Sequence, residues 1–213
     1  MKLVWSPEKA SKAYIDTVKS CELIEESSVA ELISAMAAGW NAQLIVETWS
    51  KGSGTATSIG LAVAGHHAGG RHVCVVPDQE SREEYGEAMQ SAGPGVSPEI
   101  FVGEAEEVMK GLEGIDFLVV DSRRSDFARI LRVAKLGHRG AVLICTNVCS
   151  REASDFRWRS VLDGKSRIVR SVLLPVGKGL DIAHVGAAGG KGERSRWIRH
   201  FDKESGEEFV IRR

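Results

Sequence analysis

Neither sign of charge dominates this 213-residue sequence: 28 lysines and arginines face 29 aspartates and glutamates, a formal net charge of -1. The balance removes a global electrostatic case for nucleic acid or an anionic membrane, and leaves only local patches to weigh. Long apolar runs are missing as well. The opening MKLVWSPEKASKAY holds no stretch of signal-peptide length, and no later run is long enough to span a bilayer. The sequence therefore predicts a cytoplasmic protein without membrane contact. Cysteine is scarce: Cys21, Cys74, Cys145 and Cys149 are scattered, and no second Cys or His pair stands at zinc-finger spacing. Three of the four lie in or beside apolar runs, which predicts buried, reduced thiols. No repeat recurs at solenoid periods. Spacing alone assembles no Ser/His/Asp or Cys/His nucleophile arrangement.

Hydrophobic residues at 43% and charged residues at 27% are ordinary globular usage, enough at this length for one well-buried core. Ser6, Pro7 and Glu8 read as a cap, a first-position proline and a first-turn acid, opening a helix that runs to about Cys21. A second helix starts at Ser28, where Glu31 completes a capping box and Val29, Leu32, Ile33 and Met36 form a stripe that Gly39 ends. From there apolar runs alternate with helical stretches. AQLIVETW (42–49), RHVCVV (71–76), EIFVG (99–103), DFLVV (116–120) and AVLICT (141–146) read as strands. The intervening helices reach Ala68, start at Gln79, and cover 104–112 and 126–136. Five strands alternating with helices predict an α/β, doubly wound, mostly parallel sheet.

After Asn147 the pattern changes. A charged helix over 152–162 precedes two apolar runs in SRIVRSVLLPVGKGLDIAHVG, joined at 177–179 by a turn too short for a crossover, so the last two strands pair antiparallel. This predicts one doubly wound α/β domain over 1–188, with its two leading helices inside 1–41. Residues 189–213 follow as a basic linker and a hairpin turning at 202–206. Lys191, Arg194, Arg196, Arg199 and Trp197 offer a minor route to RNA or an acidic partner, although such a run is usually a solvated segment.

In open α/β sheets ligands gather at the carboxyl ends of the strands. After the first strand, Glu47 is followed by Trp49 and by the glycine loop Gly52-Ser53-Gly54, which opens a helix and suits a carboxylate or phosphate. The loop is neither GxGxxG nor a P-loop. After the second strand stands Asp78, either an acceptor for ribose hydroxyls or the cap of the next helix. Gly103, Glu104 and Ala105 follow the third strand, and Asp121 the fourth. His66 and His67 close a helix, where they suit its dipole.

With these landmarks in place, the stretch from about Ser28 to Val185 resembles the Rossmann-like S-adenosylmethionine-dependent methyltransferases, above all the cation-dependent caffeoyl-CoA O-methyltransferase type. The matching segments are VETW, RHVCVVPDQESREEYG, VGEAEEVM, DFLVVDSRRSDF, AVLICTNV and VLLPVGKGLDIAHVG. The LVWSPE start and the terminal SGEE segment are similar to a plant family of unknown function. The resemblance implies a seven-stranded sheet with a reversed final hairpin. It also implies S-adenosylmethionine lying across the strand ends, near Glu47, Ser53, Asp78, Ala105 and Asp121.

The departures matter as much. Where the cation-dependent enzymes carry DxD and DN, this sequence reads Asp121-Ser122-Arg123 and Thr146-Asn147, so two of three acids are absent and no metal is expected. A guanidinium there opposes a cation. Arg123 either pairs with Asp121 or, with Arg124 and Asn147, meets an anionic ligand. Trp49 replaces a loop glycine, and either fills the methionine end of the crevice, turns outward, or stacks on an adenine. Two functions stay open. One is a non-catalytic ligand-binding or scaffold protein that engages a small molecule or a protein partner through the degenerate crevice or the basic tail; the oligomeric state, a homodimer included, stays open. The other is a metal-independent methyltransferase using S-adenosylmethionine on a small or anionic acceptor.

Overall fold

The computed structural model describes residues 4–24, 26–91, 98–150, 157–162, 167–187, 197–201 and 208–212, the last two segments by their backbone. The basic linker, the 202–206 turn and the start of the helix expected at 152 lie outside the described residues. Ser6 caps α1 (Pro7–Ser20) as expected, its Oγ accepting from the Lys9 amide at 3.4 Å. For α2 (Ser28–Gly39) the expectation shifts by one residue. The cap position is Ser27, whose Oγ donates to the Glu31 carboxyl at 2.5 Å, so side chain meets side chain and no backbone amide is capped. Only Ser28 has Glu31 at the three-residue spacing of the pattern, but the backbone puts the adjacent Ser27, four residues from Glu31, at the cap.

Nine further elements follow through α6: β1 (Leu44–Thr48), α3 (Ala56–Ala68), β2 (Arg71–Val76), α4 (Gln79–Ser91), β3 (Glu99–Val102), α5 (Ala105–Gly111), β4 (Glu113–Ile115), β5 (Phe117–Asp121) and α6 (Phe127–Val133). Then come β6 (Lys135–Leu136), β7 (Ala141–Thr146), a 3₁₀ turn (Val148–Ser150), α7 (Trp158–Val161), β8 (Ile168–Leu174) and β9 (Leu180–Val185). The main sheet has seven strands in the order β3-β2-β1-β5-β7-β9-β8. All neighbours up to β7 are parallel, and β9 runs antiparallel to both β7 and β8. This is the α/β sheet with a reversed final hairpin that the alternation predicts. Two short strands, β4 and β6, pair in a separate parallel ribbon that no sequence pattern announces. Strands β10 (Trp197–Phe201) and β11 (Glu208–Arg212) pair antiparallel.

Strand alternation divides the core in two. Ile45, Cys74, Phe117, Val119 and Ile144 face the layer that holds Ile33 of α2, Leu61 of α3 and Tyr85 of α4. Leu44, Val46, Val75, Leu118 and Leu143 face Met109 of α5, Ile130 of α6 and Trp158 of α7. Both faces are covered, as a parallel sheet requires. Cys21, Cys74 and Cys145 are buried and Cys149 is exposed. Among the described residues no helix is long and apolar enough to cross a membrane.

The α2–α3 contact leaves no room at Gly60. A Cβ there would stand 2.6 Å from the Ala30 carbonyl oxygen and 3.3 Å from Ser34 Cβ. Backbone cannot give way as a side chain can, so Gly60→Ala is expected to lower stability by about 1–3 kcal/mol in urea unfolding, despite alanine's better helix propensity.

Candidate functional site

Parallel pairing brings the strand ends together. Glu47 of β1 is level with Val119 of β5, and Asp121 of β5 with Thr146 of β7, while β9 begins at Leu180 opposite Thr146. The glycine loop after β1, the segment after β5, Asn147 and the β8–β9 turn therefore converge on one edge. They enclose a cavity of about 400 Å³, within the range of small-molecule sites. Of the residues singled out in sequence, Glu47, Trp49, Gly52, Ser53, Gly54, Asp121, Arg123 and Asn147 line it; Asp78, Gly103, Glu104, Ala105 and Arg124 do not. Asp78 accepts from the Ser81 amide at 2.7 Å and so caps α4, the second of its two expected roles. Arg124 pairs with Asp126 at 2.8 Å.

Glu47 is 4% exposed and turned into the core. Its Oε1 accepts from the Tyr85 hydroxyl at 2.8 Å and faces His72 Nε2 at 3.1 Å, while Oε2 accepts from Ser58 Oγ at 3.0 Å. Burial, and then the Glu47 charge, push the Tyr85 phenol far above its ordinary value. The same two causes, in the same order, raise the Cys74 thiol. Tyr85 and Cys74 are thereby held in their neutral forms.

Asp121 is committed as well. Arg123 reaches its two oxygens with Nε at 3.1 and 2.9 Å and Nη2 at 2.5 Å, and the Arg123 amide adds a bond at 2.9 Å. Burial opposes ionisation, but these bonds and one from the Asn147 side chain hold the carboxyl below its usual range. The pairing therefore supports the fold above the ordinary carboxylate pKa and is lost as pH falls through the lowered value. Asn147 itself has φ 60°, a left-handed conformation that asparagine tolerates best among residues with a side chain.

Trp49 folds inward rather than outward. Its indole is 3% exposed and packs edge-on against Tyr85, with ring centroids 5.3 Å apart. It belongs both to the core and to the cavity wall.

Sequence reasoning missed Lys178. It stands at the tip of the β8–β9 turn between two left-handed glycines, Gly177 (φ 57°) and Gly179 (φ 87°). The 3₁₀ turn pins that tip: the Cys149 amide donates to the Lys178 carbonyl at 2.9 Å, and the Val148 amide to that of Gly179 at 3.3 Å. The available signal was the GKG triplet, since a lysine flanked by two glycines in a tight turn is presented in a fixed direction.

A family model described as a protein of unknown function matches residues 1–213. The chain belongs to the DUF1442 family. Comparison with curated proteins returns no match. Among solved structures, this DUF1442 chain is similar to a methyltransferase from Geobacter sulfurreducens, at 22% identity and a TM-score of 0.57, covering 83% of this chain and 88% of that one. It is similar to the SAH-bound methyltransferase PaMTH1 of Podospora anserina, at 15% identity and a TM-score of 0.57, over 87% and 90% of the two chains. It is also similar to the O-methyltransferase TomG of Streptomyces achromogenes in complex with SAM, at 22% identity and a TM-score of 0.54, over 87% and 92%. At such identities the likeness is one of fold.

Proposed function

We propose that the protein is a non-catalytic, small-molecule-binding version of the methyltransferase fold, which keeps a cavity at the strand ends and gives up the S-adenosylmethionine seat. The observation that carries this is the commitment of the two strand-end acids of the cavity: Glu47 to Ser58, His72 and Tyr85, and Asp121 to Arg123. A sulfonium cofactor with an amine and ribose hydroxyls asks for free acceptors, and Asp78 caps a helix outside the cavity. The residues present do not fit that cofactor. A divalent cation is opposed by the guanidinium lying on Asp121, and among the described residues no three His, Cys, Asp or Glu side chains are grouped to hold one. In favour of the alternative, a metal-independent methyltransferase, stand two relatives named with SAM or SAH bound.

Calorimetric titration with S-adenosylmethionine and S-adenosylhomocysteine separates the two. No heat at millimolar concentration is expected. Micromolar binding that disappears in Asp121→Ala would overturn the non-catalytic reading and make a search for methyl acceptors the next step.

A further inference from the structure

The donors and acceptors left free around the cavity are unequal. On the acceptor side Glu47 and Asp121 are engaged, and the one remaining carboxyl in the lining is Glu26, exposed at the rim. On the donor side Lys178 lines the cavity and has no carboxylate partner among the described residues. Arg123 spends Nε and Nη2 on Asp121, and its Nη1 has no bond among the described residues. The first turn of α3, a helix of 13 residues, contributes Ala56 and Thr57 to the wall, and Thr55 at its cap position makes no side-chain cap bond. Trp49, also in the wall, has an Nε1 without a partner among the described residues. The balance of unused groups favours a ligand that accepts hydrogen bonds and carries negative charge.

The two cations reach the cavity from different elements and are held differently. Arg123 is oriented by its fork on Asp121, a planar two-oxygen contact that fixes the guanidinium. Lys178 is oriented by the backbone of its turn. Gly177 sits where a Cβ would stand 2.6 Å from Val29 Cγ2 of α2, and a Cβ on Gly179 would collide with Cys149 Sγ. At both glycines the backbone of the tip lies close against its neighbours, and the 3₁₀ segment bonds to it.

From this we infer that the cavity holds an oxyanion, the phosphate or carboxylate end of a small metabolite, between Lys178 and Arg123 and above the first turn of α3. The inference rests on the reading of the cavity as a ligand site that has abandoned the sulfonium cofactor, and names the class of ligand that replaces it. It also accounts for the arginine in the segment after β5, which opposes a cation and stands in the cavity lining.

The test is calorimetric titration of the full-length protein with inorganic phosphate, and separately with acetate, at constant ionic strength. Saturable phosphate binding in the millimolar range or tighter is expected, weakened about tenfold or more in Lys178→Gln and unchanged in Lys12→Gln on α1. Lys178 is exposed, so its replacement leaves folding intact. Acetate binding with the same dependence on Lys178 would assign the site to carboxylates. Binding unaffected by Lys178→Gln, or absent for both anions, overturns the inference. If both anions are silent and S-adenosylmethionine is silent too, only the oxyanion inference falls; if S-adenosylmethionine binds tightly, the non-catalytic reading falls with it.

Discussion

Glu47→Ala is expected to lower the stability of the protein by about 3–5 kcal/mol, the cost of stripping a buried polar cluster of its acceptor. Ser58 and Tyr85 have no exposed surface and His72 is 7% exposed, so none of the three donors can turn to water when the carboxyl is removed. The individual losses do not sum, because all three share one group and relax together. Glu47→Gln, which keeps one acceptor oxygen, should cost about half as much, and Tyr85→Phe about 1–2 kcal/mol. Urea unfolding followed by circular dichroism measures all three. A Glu47→Ala protein as stable as the parent would mean that the carboxyl is not a structural group, and would return it to the cavity as a ligand holder. The experiment therefore reads function through stability.

The second large effect belongs to Gly179. Its φ of 87° is costly for any residue with a Cβ, and the new methyl group would also press on Cys149 Sγ, approach Val148 Cγ2 at 2.9 Å and the Cys149 amide nitrogen at 3.1 Å. Strain and overpacking together predict a loss of about 2–4 kcal/mol for Gly179→Ala. Gly177→Ala is the useful comparison, since there the only near atom is a Val29 methyl at the end of a side chain, and about 1–2 kcal/mol is expected. Thermal unfolding monitored by circular dichroism ranks the pair. Equal effects would show that the turn is not anchored by the 3₁₀ segment behind it.

The fold was open to sequence reasoning because its signals are local. Most main strands are apolar runs bounded by charge, glycine or proline, and a connection as short as that between β8 and β9 cannot cross a sheet, which is why the antiparallel pairing of the last two strands could be stated from the turn at 177–179. Failures occurred where local signals were short or duplicated. Lys135–Leu136 is too brief to show a period, and Ser27 and Ser28 compete for one cap. The site was harder still. Glu47 was placed at the correct strand end, but the residues that consume it lie 11, 25 and 38 positions away, so no motif could say that its carboxyl was taken. Arg123, two residues from Asp121, was legible as a partner for that reason. For Trp49 the sequence offered three directions, and it took the packing against Tyr85 to choose the inward one.

The strand order carries a kinetic consequence. Within each side of the sheet, neighbouring strands are close in sequence, but β1 and β5 meet through Ile45 and Phe117, about 70 residues apart. Closing so long a loop costs more entropy than any other pairing of the parallel strands, so β1–β2–β3 and the group from β5 to β9 should each gain structure before they join. On this order the join comes last in folding, and the cavity lies over it, with Glu47 of β1 and Asp121 of β5 both in its lining. A bound ligand therefore touches contacts that are absent from the folding transition state. It should slow the unfolding rate while leaving the refolding rate nearly unchanged.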